Sequence, residues 1–93
     1  MPKIISCTKR EGHTLILTND HVLYAFGKGG RGQLGDGSNH DRSLPIKVRA
    51  IPDKVISATT GDYFSLALTD KGQSYGWGDN SRFQLRKDKF HPL

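Results

Sequence analysis

The sequence predicts an all-β fold: two tandem four-stranded antiparallel sheets, the second incomplete. Three observations carry this. Shifted by 51 residues, the chain matches itself without a gap, and twelve of the 39 pairs formed by laying 4–42 on 55–93 are identical. Short apolar runs with two-residue spacing fall at matching places in both copies, which is the period of a strand half buried on one face. No segment carries a helical apolar period, and eleven glycines divide the chain into short pieces. Strands of four to six residues between glycine turns suit a sandwich, barrel or propeller, and a repeat near 50 residues favours the propeller or a solenoid. Residues 1–54 are expected to form the first unit and 55–93 the second, stopping before its last strand.

The elements follow in order. Each copy opens on matched positions: Ile4/Val55, Ile5/Ile56, Ser6/Ser57 and Thr8/Thr59. Next come the apolar runs Thr14–Thr18 and Phe64–Thr69, with Leu15 and Leu17, like Leu66 and Leu68, on one side of a sheet. A tight loop follows, Asn19-Asp20-His21 in the first copy and Asp70-Lys71-Gly72 in the second. Such a three-residue hairpin loop closes on a left-handed residue, so His21 is expected to hold the strained version of the turn that Gly72 makes freely. The returning strands are Val22–Phe26 and Ser74–Trp77, each running into an aromatic and a glycine.

These submotifs resemble the regulator-of-chromosome-condensation repeat, the blade unit of a seven-bladed β-propeller. The first copy shows His13-Thr14-Leu15-Ile16-Leu17-Thr18, then Tyr24-Ala25-Phe26-Gly27, then Gly32-Gln33-Leu34-Gly35, then Pro45, Val48 and Ile51. The second shows Gly61-Asp62-Tyr63-Phe64-Ser65-Leu66-Ala67-Leu68-Thr69 and Tyr75-Gly76-Trp77-Gly78-Asp79-Asn80. The resemblance spans residues 3 to 86 and implies propeller-type blades. It further implies that Gln33/Gln84 and Leu34/Leu85 tie each blade to its neighbour, Leu by filling and Gln by hydrogen bonding. The copies also depart from the pattern. Arg10 stands where Gly61 keeps the repeat's glycine, Phe64 stands where His13 keeps its histidine, Gly29 stands where Asn80 keeps its asparagine, and Phe83-Gln84-Leu85-Arg86 replaces the second Gly-Gln-Leu-Gly. If the glycine serves a tight turn, Arg10 strains it.

Composition bounds the function. Fourteen Lys and Arg against nine Asp and Glu give a net charge of +5. The basic residues are scattered and interleaved with acids, which describes a solvated surface more than a phosphate-binding patch. No apolar run approaches the roughly 20 residues of a membrane span, and the first residues have no apolar signal core. Cys7 is the only cysteine, which leaves no internal disulfide or cysteine-rich zinc site; it is expected to be small and half buried. The four histidines show no metal-ligand spacing, and His13 is expected to be satisfied by backbone within its blade. Gly27–Gly32 fits a Gly-x-Gly-x-x-Gly pattern after a strand, but a dinucleotide site needs a helix there, and Gln33-Leu34-Gly35-Asp36-Gly37 is a poor one. No nucleophile–histidine–acid set can be assembled, and no cofactor is expected.

Residues that repeat serve the repeat, so function is sought where the copies differ. That points to the loop Asp36–Leu44 and the glycine-rich segment before it. The candidate partner-binding residues are Lys28, Arg31, Asp36, Ser38, Asn39, His40, Asp41 and Arg42. The reading is a non-catalytic protein–protein interaction module, intracellular, in cytoplasm or nucleus. Two alternatives stand beside it: the family resemblance implies a part of a guanine-nucleotide exchange factor for a Ran-like small GTPase, and the basic surface allows a chromatin-associated module with nucleic acid as a weaker partner. Two blades expose open flanks, so self-association or neighbouring blades of a longer chain are expected.

Overall fold

Burial alternates along Phe64–Thr69, where Ser65, Ala67 and Thr69 are buried, but not along His13–Thr18, where five of six residues are buried. In the computed structural model, which describes residues 3–10, 12–61, 63–78 and 91–92, the first sheet has the order β1 (Ile4–Arg10), β2 (His13–Thr18), β3 (Leu23–Gly27) and β4 (Arg42–Lys47). The second has β5 (Val55–Gly61), β6 (Phe64–Thr69), β7 (Ser74–Gly78) and β8 (His91–Pro92). The first sheet is antiparallel throughout, and in the second β5, β6 and β7 are antiparallel. These are the propeller-type blades that the repeat predicts. The copies agree in detail: β1 and β5 each slip register near their start, between Ile4 and Ser6 and between Val55 and Ser57.

Two features of the elements differ from expectation. At the fourth-strand place of the second sheet, His91–Pro92 pairs with Tyr75–Gly76 in parallel, not antiparallel. Proline cannot donate a ladder hydrogen bond, so it is tolerated at a sheet edge. The loop expected over Asp36–Leu44 also ends early, because Arg42–Leu44 already belong to β4. That strand lies at the edge of its sheet, carries Pro45, and is exposed along most of its length, so its polarity reads as loop.

The hairpin turns match bond for bond. Val22 O accepts from Thr18 N–H and Thr18 O accepts from His21 N–H, while Gln73 O accepts from Thr69 N–H and Thr69 O accepts from Gly72 N–H. His21 sits at φ 65° and Gly72 at φ 77°, so the histidine does occupy the left-handed position of its turn. The β1–β2 turn corrects a different expectation. Among the described residues the left-handed positions are Gly12 at φ 91° in this turn and Tyr63 at φ 63° in its β5–β6 counterpart, and Gly61 has no left-handed φ. Gly61 is needed for room: a Cβ there would lie 2.1 Å from the Phe64 ring, which folds back over it.

One core joins the sheets. Leu15, Leu17, Leu23, Ala25, Leu34 and Val48 from the first copy pack with Val55, Ala67 and Trp77 from the second. Strand β5 lies against β1 and β2. Repeat-equivalent residues then separate by position. Leu17 is 2% exposed and Leu68 is 37% exposed; Val55 is 3% exposed and Ile4 is 63%. The same place in the blade is covered where the two sheets meet and open where they do not.

Candidate functional site

The segment between β3 and β4 is braced by its own side chains. Asp36 is its centre: Oδ1 accepts from Ser38 N–H at 2.9 Å and from the Ser38 hydroxyl at 2.8 Å, and Oδ2 accepts from Arg42 Nε at 3.0 Å. An Asp accepting from the residue two positions on is ordinary turn chemistry. Burial pushes the Asp36 carboxyl up, but the Ser38 bonds and the Arg42 guanidinium outweigh it and leave the pKa below the usual carboxylate value. Asp41 Oδ1 accepts from Gly29 N–H at 2.9 Å and clamps the two ends of the loop together. Gly29 must be glycine for that approach, since a Cβ would come within 2.1 Å of His40 O. The Gln33 side chain accepts from Arg31 N–H at 2.8 Å, within the same loop.

The loop is seated on the second sheet. Leu34 is fully buried in the shared core. The Ser65 hydroxyl donates to Gln33 O at 2.8 Å. Its one proton is thereby used, so Ser65 Oγ accepts at its second contact, His13 Nε2, 3.1 Å away. His13 Nε2 also lies 3.1 Å from Phe64 O, which can only accept. The Nε2 of His13 therefore carries hydrogen and bridges both acceptors. A histidine expected to be satisfied within its own blade instead pins the next one. Gln33 does tie the blades, but through its carbonyl; its side chain stays in its own loop. Gln84 and Leu85 lie outside the described residues. At the opposite end of the sheets, Val55 N–H donates to His21 O at 3.1 Å and His21 Nδ1 lies 3.2 Å from Val55 O, so that nitrogen donates.

The eight candidate residues meet different fates. Asp36, Ser38 and Asn39 line an open groove of about 530 Å³ with Gly32, Gly35, Gly37, Arg49 and Ala50. Arg42 braces Asp36 from β4, and Asp41 clamps Gly29. His40 is exposed and its N–H donates to Ser38 Oγ at 3.3 Å. Arg31 stacks over the Tyr63 ring at 4.3 Å, a cation–π contact between the sheets. Lys28 is exposed at the end of β3, where its N–H donates to Gly12 O. Arg49 is the groove residue that sequence reasoning did not single out, because it follows β4 and belongs to no motif. Among the described residues no group of three His, Cys, Asp or Glu could hold a metal, and no helix is long and apolar enough to cross a membrane. Cys7 is exposed, not half buried.

Comparison with known proteins agrees with this architecture. Residues 20–68 match the model of the Regulator of chromosome condensation (RCC1) repeat, and residues 55–84 match a second model of that repeat. The RCC1 domain-containing protein RUG3, mitochondrial, of Arabidopsis thaliana is 36% identical over 74 residues, covering 78% of this chain and 17% of that protein. The probable E3 ubiquitin-protein ligase HERC6 of Homo sapiens is 37% identical over 91 residues, covering 96% of this chain and 9% of that protein. The chain thus spans less than a fifth of either relative. In the crystal structure of Kap60 bound to yeast RCC1 (Prp20), a match of TM-score 0.74 and 28% identity covers 85% of this chain and 20% of that one.

Proposed function

Because the chain belongs to the Regulator of chromosome condensation (RCC1) repeat family, we propose that it is a non-catalytic protein–protein interaction module whose partner surface is the loop between β3 and β4. One observation carries the reading: the loop is fixed by Asp36, Asp41 and Gln33 before any partner arrives, and it walls the groove of about 530 Å³. A surface that is already ordered loses little conformational entropy on binding. The yeast relative's crystal structure with Kap60 supports protein partners for this class of fold. In this reading the units divide between residues 54 and 55, and the exposed Ile4 and Leu68 flanks accept further blades, from a longer polypeptide or a second copy. The proposed compartment is the cytoplasm or nucleus, and an exposed free thiol at Cys7 suits a reducing interior.

The test is affinity capture with the intact chain and with a variant in which Ser38–Arg42 is scrambled. Capture of a defined protein by the first and its loss from the second is expected; equal capture by both would sink the reading. Nucleotide release from a Ran-like GTPase is expected to stay at its spontaneous rate when the chain is added. Acceleration would replace binding with exchange.

A further inference from the structure

The groove beside the loop has an unusual balance of charge. Asp36 is its one acidic wall residue, and that carboxylate is occupied by Ser38 and Arg42. Arg49 is its one cation, is exposed, and has no hydrogen bond or ion pair among the described residues. The walls between are largely backbone. A Cβ at Gly32 or Gly37 would meet nothing within 4 Å, so no side chain stands in front of either residue. Asn39 adds an exposed amide, which donates and accepts. The whole chain carries a net charge of +5.

We propose that this groove binds an extended acidic peptide segment of a partner protein, with Arg49 holding one of its carboxylates. The inference rests on the protein-binding reading above and names the chemistry of the partner. A guanidinium presents paired donors that match a carboxylate, and a glycine-lined wall lets a second backbone approach closely. A peptide suits the site better than nucleic acid does. Phosphate backbones are held by many cations along a track, and here a single uncommitted cation shares the groove with a carboxylate. The Asp36–Arg42 pair removes the one charge that would repel an acidic ligand, while Asn39 is placed to read backbone amide groups.

The experiment measures fluorescence anisotropy of a labelled hexaglutamate peptide with the full chain at about 50 mM salt, a regime in which charge contacts are weakly screened. Hexaserine and an oligothymidylate of equal charge serve as comparison ligands. The variants are Arg49→Gln and Lys47→Gln; both residues are exposed, and Lys47 lies on β4 outside this groove. Binding of hexaglutamate above hexaserine is expected, weakened about tenfold by Arg49→Gln, the scale of one charge-assisted contact, and less than twofold by Lys47→Gln. Equal losses from the two variants would reduce the effect to net charge and overturn the proposal. So would tighter binding of the oligothymidylate, or no hexaglutamate binding at millimolar concentration. If Arg49→Gln keeps a captured protein that the scrambled loop loses, the interaction reading stands and the acidic-peptide inference falls.

Discussion

At the scale of single residues, glycines and one aspartate fix the candidate surface. Gly35 is left-handed at φ 71°, and a Cβ there would lie 2.8 Å from Trp77 Nε1. Gly37 is also left-handed, at φ 80°, but its Cβ direction is open. Gly37→Ala is therefore expected to cost about 1 kcal/mol from backbone strain alone. Gly35→Ala adds overpacking against Trp77 and is expected to cost about 3 kcal/mol in total. Urea titration of the two variants separates strain from the Trp77 seat, and equal costs would deny the seat. Asp36 makes a pH prediction. Its folded pKa lies below the unfolded value, so its contribution is present above that unfolded value and is lost as pH falls through the folded one. Loop order reported by the Ser38 amide resonance should hold down to about pH 4 and fade below it; fading near pH 6 would point to another group. The turn role of Asp36 was legible in the sequence, since Asp-Gly-Ser is turn chemistry. Arg31 was not. Its stacking partner Tyr63 is 32 positions away, and only the packing of the sheets brings them together.

At the scale of elements, the two hairpins are one design with one substitution. The sequence showed that His21 replaces Gly72 at a left-handed position, and φ 65° agrees. It did not show the return for that strain, because His21 Nδ1 and C=O both meet Val55, 34 residues on. Relieving the strain gains about 1 kcal/mol and losing the side-chain bond costs about as much. His21→Gly is thus expected to be near neutral in thermal unfolding, while His21→Ala, which keeps the strain and loses the bond, is expected to cost about 1 kcal/mol or more. A clear stabilisation by His21→Gly would show that the Val55 contact contributes nothing. The error of reading Gly61 as a turn glycine has an elemental cause as well. The repeat register correctly aligned it with Arg10, but the demand on Gly61 comes from the Phe64 ring and not from the turn. The parallel pairing of His91–Pro92 was illegible for a related reason: a two-residue strand carries no alternation to read.

For the whole molecule, the 51-residue repeat made most of the fold legible, because each copy confirms the other's strands. What the repeat could not supply was the difference between equivalent positions, which depends on whether a neighbour covers them. Leu17 and Leu68 are identical in sequence and opposite in burial. Leu17→Ala is expected to cost about 3 kcal/mol, and Leu68→Ala under about 1.5 kcal/mol because it leaves little cavity behind. Equal costs in denaturant unfolding would mean that the Leu68 flank is covered in solution. Above that packing sits the central claim, that the β3–β4 loop is an ordered surface ready for a partner. Amide hydrogen exchange on the free chain tests it most directly, read at Gly29, Arg31 and Ser38, whose N–H groups donate to Asp41, Gln33 and Asp36. Exchange at least tenfold slower than in an unstructured chain is expected at all three. Exchange at unstructured rates there, with β2 and β3 still protected, would contradict the claim and leave only a blade pair with an unformed loop.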